Sequence, residues 1–465
     1  MFPIVDPATE QVIGHAPDAG EHDLGAAAAA ARQAFDETAW PRDHALRARC
    51  LRQLKAALED DVEMLREITI AEAGVPEMWT RGPQLEAPID GLGYVIELLE
   101  SYEWATDLGM ATPLGIPTMR RVCREAAGVV AAITPWNFPN QINLAKLGPA
   151  LAAGCTVVLK PAPDTPWTGA ELGRLVAERT EIPPGVVNVV TSSRPAAGRA
   201  LTTDPRVDMV SFTGSTATGK DVMAAAAVTV KRVFLELGGK SAAVVLDDYD
   251  VGAAAAHTAF SVCVHAGQGC ALTTRLIVPR ASYGDAVAAA ADAMAGLPPG
   301  DPRDRRTVCG PLISAAQRDR VESYLRSAVA DGGTFACGGG RPAGKTAGYW
   351  IEPTVVSGLA NDARAAREEI FGPVLVVLAH DGDDDAVRLA NDSPYGLSGA
   401  VFGTDLSRAR AVAARLRAGT VGINGGVWYS PDVPFGGFKE SGAGREMGVA
   451  GFEEYLEIKS IAEPA

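Results

Sequence analysis

Regular patterning of apolar positions begins at Glu21. Through "EHDLGAAAAAARQAFDETAW" (residues 21–40) and "DHALRARCLRQLKAALEDDVEMLREITIAEAG" (residues 43–74) apolar side chains recur every three or four residues, so the first hundred residues are expected to be mainly helical. Residues 112–126, "TPLGIPTMRRVCREA", break the period with Pro113, Pro117 and alternating side chains, and read as an extended excursion. Beyond them short β-branched runs ("AGVVAAIT", "CTVVLK", "GVVNVVT", "DMVSF", "AVVLD") alternate with helical stretches, the pattern of a parallel α/β sheet. A second α/β series occupies about residues 240–440, with "TRLIVP", "PVLVVLAH", "GAVFGT" and "TVGIN" as its strands. No fixed-period repeat and no long linker separates the two series, so they are expected to pack against each other. The tail "GFEEYLEIKSIAEPA" alternates in its latter part and is expected to add a strand to a sheet of its own chain or of a partner.

One loop changes the picture from architecture to chemistry. Between the strand-like "VDMVSF" and the helical "TGKDVMAAAAV" stands "FTGSTATGKD", in which Gly214, Gly219 and Lys220 come within one residue of an ATP phosphate-binding loop. Asp221 occupies the place of the hydroxyl that such a loop offers to Mg²⁺, and a carboxylate beside phosphates repels them. An apolar run downstream, "SAAVVLDD", ends on Asp247 as in many α/β proteins. The ATPase reading is therefore disfavoured. A strand, a loop and a helix whose N-terminus faces an anion is the simpler account, and it suits a dinucleotide equally well.

Composition narrows the classes. An apolar share of 47% describes a globular chain, and a net charge of −15 argues against nucleic acid and anionic membranes as partners. The start, "MFPIVDPATEQVIGH", carries no basic segment leading into an apolar one, and no run of 18 apolar residues occurs, so a soluble, cytoplasmic protein is expected. Seven scattered cysteines lack zinc-type pairs and six histidines form no ligand cluster; reduced thiols and no metal are expected.

Three residues invite chemistry. Cys270 in "HAGQGCALTTR" follows Gly267 and Gly269, which permit a tight turn and close access to the thiol, although free cysteines are usually small core residues. Glu236 in "LELGGKS" ends a strand-like run before two glycines, where a solvated carboxylate is the ordinary explanation. Asn137 in "ITPWNFP" is held between Trp136, Pro135 and Pro139, where a turn-forming role is the ordinary one. His265, five residues before Cys270, would suit a Cys–His hydrolase but as a lone histidine reads as a packed helix residue.

Taken in order over nearly the whole chain, "PWNFP", "LKPAPDTP", "FTGSTATGK", "LELGGKS", "GQGC", "EEIFGPV" and "PFGGFKESGAGRE" resemble the NAD(P)-dependent aldehyde dehydrogenases. The resemblance implies an α/β fold in three parts. They are a Rossmann-like coenzyme-binding domain (1–108 and 127–238), an α/β catalytic domain (239–440) and a small β oligomerisation element (109–126 and 441–465). It implies Cys270 as nucleophile, Asn137 as oxyanion donor and Glu236 as the base that activates water, the last arguing against a CoA-acylating branch. Lys146 and Glu446 are implied as a proton relay. For the coenzyme it implies Lys160 at the adenosine ribose, Gly214, Ser215 and Gly219 at the pyrophosphate, Trp136 in the cleft, and Glu369 with Phe371 at the nicotinamide ribose. Pro163 stands where many NAD-preferring members carry Glu, which leaves NADP open, although no further Arg or Lys in "KPAPDTPWTG" would bind a 2′-phosphate. NAD is the expected coenzyme and an aldehyde the expected small-molecule substrate, with Asn140, Trp428 and Tyr429 near its tunnel and the last two hinting at apolar or aromatic aldehydes. The subunits are expected to form a homodimer or homotetramer. Members of the family commonly carry a further segment before the match to "VDPATEQVIGHAP", whose lack is expected to loosen an edge of the coenzyme domain without touching the chemistry. A thiol hydrolase or acyltransferase built on Cys270 is the competing reading, and it has no use for Lys160, Glu369 or the coenzyme loop.

Overall fold

The computed structural model describes residues 1–465. In chain order its strands are β1 (Phe2–Val5), β2 (Val12–Ala16), β3 (Ala105–Ala111), β4 (Thr118–Ala126), β5 (Val129–Ile133), β6 (Thr156–Lys160), β7 (Val187–Val189), β8 (Met209–Thr213) and β9 (Arg232–Glu236). They continue with β10 (Ala242–Val245), β11 (Arg275–Pro279), β12 (Thr334–Cys337), β13 (Thr354–Ser357), β14 (Val374–His380), β15 (Ser398–Phe402), β16 (Thr420–Ile423), β17 (Gly442–Ala443) and β18 (Leu456–Pro464).

Strands β5, β6 and β8 are buried at every residue, which is why their sequences run apolar without alternation: helices cover both faces of the sheet. They belong to a six-stranded sheet of order β17-β9-β8-β5-β6-β7, parallel except for β17. The connections run outward in one direction from β5 to β7 and resume on the other side at β8, so a crevice opens between the C-terminal ends of β5 and β8. One face of this sheet packs the helices His44–Asp60, Glu86–Ser101 and Pro139–Ala153, the other a smaller layer that includes Leu24, Ala31 and Leu201. The second sheet has seven strands, β12-β13-β14-β11-β10-β15-β16, with only β12 antiparallel. "AVVLD", which the pattern grouped with the first series, forms β10 at the heart of this second sheet, because a parallel strand reads alike in either.

The excursion is a three-stranded antiparallel sheet, β18-β4-β3, and the tail pairs with β4 of its own chain from Leu456 to Pro464. Strand already begins at Ala105, earlier than the sequence boundary, since β3 needs its whole length to pair with β4 across a register shift at Asp107 and Gly109. The tail segment is also not one unit. Gly442 and Ala443 pair with β9, and Phe452 and Tyr455 sit in the core beside Leu144 and Leu147. Residues 1–20, for which the pattern offered no element, form the β1–β2 hairpin against Trp167. No helix is long and apolar enough to cross a membrane.

The start of β5 depends on a glycine. Gly128 has φ +125°, and a Cβ there would lie 1.9 Å from Asp208 Oδ2, an atom that accepts from the Val129 amide (2.7 Å) and pairs with Arg32 (2.8 Å). Gly128→Ala is expected to cost about 2–3 kcal/mol through backbone strain and the displaced carboxylate. Urea unfolding should show a lowered midpoint for it and none for Gly284→Ala, whose Cβ meets nothing within 4 Å.

Candidate active site

Three strand ends and two loops build the site. β5 runs into Pro135, Trp136 and Asn137; β8 ends on Thr213 with Gly214 and Ser215 following; β9 ends on Glu236; and the segment before β14 carries Glu369 and Phe371. Against them lies the loop with Cys270, between the helix Val251–Cys263 and β11. Two cavities meet there. One, of about 720 Å³, is lined by Trp136, Gly214, Ser215, Glu369 and Phe371, and the other, of about 1540 Å³, by Glu236, Glu446, Trp428, Tyr429 and Phe435. Asn137, Thr213 and Cys270 line both.

The thiol loop is held in an unusual backbone path. His265, Ala266 and Gly267 have φ of +46°, +53° and +72°, and a Cβ on Gly267 would come within 2.1 Å of the Gly372 carbonyl. Such a run persists only where its surroundings determine it. Gln268, fully buried, supplies that: its amide donates to the carbonyls of His265 (3.2 Å) and Pro311 (3.3 Å) and accepts from the Ile313 amide (2.9 Å). Its own carbonyl accepts from Asn137 Nδ2 at 2.9 Å, while Gln84 donates to the Asn137 carbonyl at 2.9 Å. Asn137 is thus gripped from two sides, with its second amide hydrogen unused by the protein and available to the cavity. Gln268 escaped the sequence reading, though its place between Gly267 and Gly269 was the available signal.

Electrostatics follow from burial. Cys270 is half-buried, and its thiol is pushed well above the ordinary range, first by desolvation and then by the carboxylates of Glu236 and Glu369. Glu236 is 2% exposed and neither carboxyl oxygen accepts a hydrogen bond from the protein. Desolvation, followed by the charge of Glu446, raises its pKa well above the carboxylate norm. Only glycine fits against it at residue 436, where φ is +156° and a Cβ would approach Glu236 Oε1 to 2.7 Å. Lys146 and Glu446 form a fully buried pair at 3.1 Å, with the ammonium also 3.1 Å from Ser211 Oγ, which in turn meets the Tyr455 hydroxyl at 3.1 Å.

Around the smaller cavity, Ser215 caps the helix Thr216–Ala226, its hydroxyl accepting from the Thr218 amide at 3.2 Å, and the first-turn amides of that helix form an anion-binding end. Lys220 is not aimed at a phosphate: it pairs with Glu440 at 3.0 Å, and Asp247 pairs with Arg408 at 2.6 Å on the surface. Neither residue of the ATPase reading serves one. Trp136 and Phe371 meet edge to face with centroids 5.4 Å apart. Glu369 accepts from the Gly239 amide (2.9 Å), and Gln317 and Arg320, which sequence also missed, hold the carbonyls of Phe371 (2.7 Å) and Glu369 (2.6 Å).

Several expected residues stand elsewhere. Gly219 lines neither cavity; it is buried against Leu237, which a Cβ would meet at 2.4 Å. Lys160 also lies outside both linings, at the end of β6, its ammonium reaching only the Pro161 carbonyl at 3.4 Å. Asn140 turns inward and donates to Thr69 Oγ1 at 2.7 Å, so Gln141 rather than Asn140 faces the large cavity. His265 is buried against Phe138, but in the strained turn beyond the helix rather than within it. Burial lowers its pKa to about 3, and it lines neither cavity.

The model of the aldehyde dehydrogenase family matches residues 1–461. The chain belongs to the aldehyde dehydrogenase family. It is 42% identical over 463 residues to a 3-succinoylsemialdehyde-pyridine dehydrogenase of a Pseudomonas species, covering 98% of this chain and 94% of that protein. It is 40% identical to a geranial dehydrogenase of Castellaniella defragrans, with the same coverage. A mutant of aldehyde dehydrogenase C from Pseudomonas syringae, solved with NAD+ and octanal, superposes with a TM-score of 0.94 at 40% identity, covering 99% of this chain and 93% of that one. Its membership makes this aldehyde dehydrogenase an oxidoreductase that converts an aldehyde to the carboxylic acid with NAD(P)+. A hydrolase reading of Cys270 is set aside.

The Gln268 side chain fixes the turn whose backbone carbonyl anchors Asn137, so Gln268→Ala, which keeps that carbonyl but frees the turn, is expected to lower kcat by about two orders of magnitude, as a misplacement of about 1 Å at a reacting centre does. Coenzyme affinity, read by quenching of protein fluorescence, should change little.

Proposed function

We propose that Cys270, Asn137 and Glu236 divide the oxidation among themselves as nucleophile, oxyanion donor and water-activating base. The observation that carries this is the meeting of the two cavities at Cys270: aldehyde enters from one side and coenzyme from the other. The thiolate attacks the aldehyde carbon, and the oxygen of the thiohemiacetal takes the free amide hydrogen of Asn137, a donor of the kind worth roughly 3 kcal/mol. Bound NAD+ supplies the hydride acceptor that turns this adduct into a thioester. Glu236, ionised, then takes a proton from water as it attacks the thioester, and the buried Lys146–Glu446 pair offers that proton a route away from the cavity. Both Cys270 and Glu236 are held protonated by burial, so the fraction in the working forms grows as pH rises, and kcat should climb through the neutral and alkaline range.

The smaller cavity suits a dinucleotide. Its helix N-terminus would take the pyrophosphate at Ser215 and Gly214, while Trp136, Glu369 and Phe371 would hold the nicotinamide end; Lys160, outside the cavity at the end of β6, would reach the adenosine ribose only where the dinucleotide extends beyond that lining. NAD+ is the coenzyme of this reading; exposed Pro163 leaves 2′-phosphate unrepelled, with no added cation to favour it.

In the same reading residues 1–108 and 127–238 carry the coenzyme, 239–440 carry the thiol, and the β18-β4-β3 sheet joins subunits in a homodimer or homotetramer. That sheet and its turn expose Leu108, Met110, Leu114, Ile116, Ile458 and Ile461, apolar side chains on both faces that a lone subunit would leave in water. Seven unpaired cysteines suit the reducing cytoplasm.

Adding aldehyde and NAD+ to the purified protein should give continuous formation of reduced coenzyme, rising with pH. Cys270→Ala should give none. Glu236→Gln should give a single burst of about one equivalent per subunit, because acylation proceeds and deacylation stops; steady turnover by that variant would sink the assignment of the base. Leu114→Arg with Ile461→Arg should reduce the sedimenting species to a monomer.

A further inference from the structure

We infer that a cavity at Lys240, apart from the two that meet at Cys270, is a binding site for a small inorganic anion. It lies at the N-terminal ends of β10, β11 and β15 and is lined by Lys240, Ser241, Arg275, Tyr395 and Arg417. Ser398 and Gly399 line both it and the thiol cavity, so it backs onto that space, but neither Cys270 nor Asn137 borders it. At about 310 Å³ it has less than half the volume of the coenzyme cavity, about 720 Å³, which is room for an ion and not for a nucleotide.

Its charge is one-sided. No Asp or Glu lines the cavity, although the chain as a whole carries −15. Lys240 is 1% exposed and its ammonium meets no acceptor in the protein. Desolvation, followed by the charge of Arg275, lowers its pKa to about 7, and the opposing pull of Glu369 and Glu368 does not restore it. Arg275, also buried, donates only to neutral oxygens: the carbonyls of Lys240 (2.9 Å), Leu389 (3.0 Å) and Ala390 (2.8 Å) and Asn361 Oδ1 (3.2 Å). Lys439 likewise donates to the carbonyls of Asn391 and Ser393, each at 2.8 Å. Asp392, whose charge reaches Arg275 and Lys439, is held by Arg367 at 3.0 Å and by Asn361 at 3.1 Å. Buried positive charge without a counter-ion is costly, and the other fully buried lysine of the region, Lys146, has its partner in Glu446. An anion in the cavity would supply what Lys240 lacks. Ser241, whose hydroxyl accepts from the Ser398 amide at 3.2 Å, keeps its own hydrogen for such a ligand, and exposed Arg417 stands where the cavity meets solvent.

Thermal unfolding of the full chain tests the site, with gluconate replaced by chloride, bromide or phosphate at constant ionic strength. The midpoint of the parent should rise saturably with at least one of these anions, because a ligand bound only by the folded state stabilises it. A rise with the halides alone assigns the site to a single ion, and a rise with phosphate alone to an oxyanion. Lys240→Met should abolish the saturable rise. Arg417→Met, an exposed change that leaves the core intact, should increase the half-saturating concentration at least about tenfold, as loss of one hydrogen bond to a charged group does. Lys345→Met, a lysine remote from the cavity lining, should leave it unchanged. No saturable rise with any of the three anions, or an equal rise in the parent and Lys240→Met, overturns the site. Should Lys240→Met fail to fold, crystals of the parent soaked in turn with bromide and selenate decide. An anomalous peak within hydrogen-bond reach of Lys240 Nζ, weakened in Arg417→Met, upholds the site, and an empty cavity in both soaks overturns it.

Discussion

The hydrogen bond from Asn137 Nδ2 to the Gln268 carbonyl is the constraint on which the site depends, because it ties the end of β5 in one sheet to the thiol-bearing loop that leads into β11 of the other. Neither sheet alone has a site. The first brings a cleft at its topological switch point, the second a cysteine on a strained turn, and their relative position is what sets the Asn137 amide and the Cys270 thiol on the same cavities. The strain at His265, Ala266 and Gly267 is maintained by the three side-chain bonds of Gln268, so the same residue fixes both the loop and the donor facing it.

Charge at this junction is kept low rather than neutralised. Glu236 is buried with no donor on either oxygen, and Cys270 faces carboxylates on two sides, so the resting site favours protonated forms of both. A carboxyl satisfied by fixed hydrogen bonds would ionise more readily and be a weaker base. The one strong ion pair of the region, Lys146 with Glu446, lies behind Glu236, where its cation tempers the repulsion that Glu446 alone would exert. The arrangement costs folding stability locally, as working sites commonly do, and the cores on either side of each sheet carry that cost.

The sheets were legible from sequence because buried parallel strands write themselves as short β-branched runs; what such runs do not say is which sheet they join, and β10 was accordingly grouped with the wrong neighbours. Cys270, Glu236 and Asn137 stood out only when their glycine- and proline-rich settings were read together with the other motifs, and all three line the larger cavity, but the placement of Gly219 and Asn140 was not legible. One is small to admit Leu237 and the other turns into the core, and a motif cannot show which way a side chain points. Gln268, Gln317 and Arg320 act on backbone carbonyls, contacts that leave no periodic trace.

The resemblance to a phosphate-binding loop shows the same limit from the other side. A local match pointed to a lysine, yet Lys220 spends its charge on Glu440. What would favour an anion there is geometry common to helices that begin after a parallel strand, the capped amides following Ser215, and it needs no cation. Specificity must then come from elsewhere. The side chains nearest that helix end, Trp136 on one segment and Glu369 with Phe371 on another, meet only in the folded chain, so no local motif could encode them together.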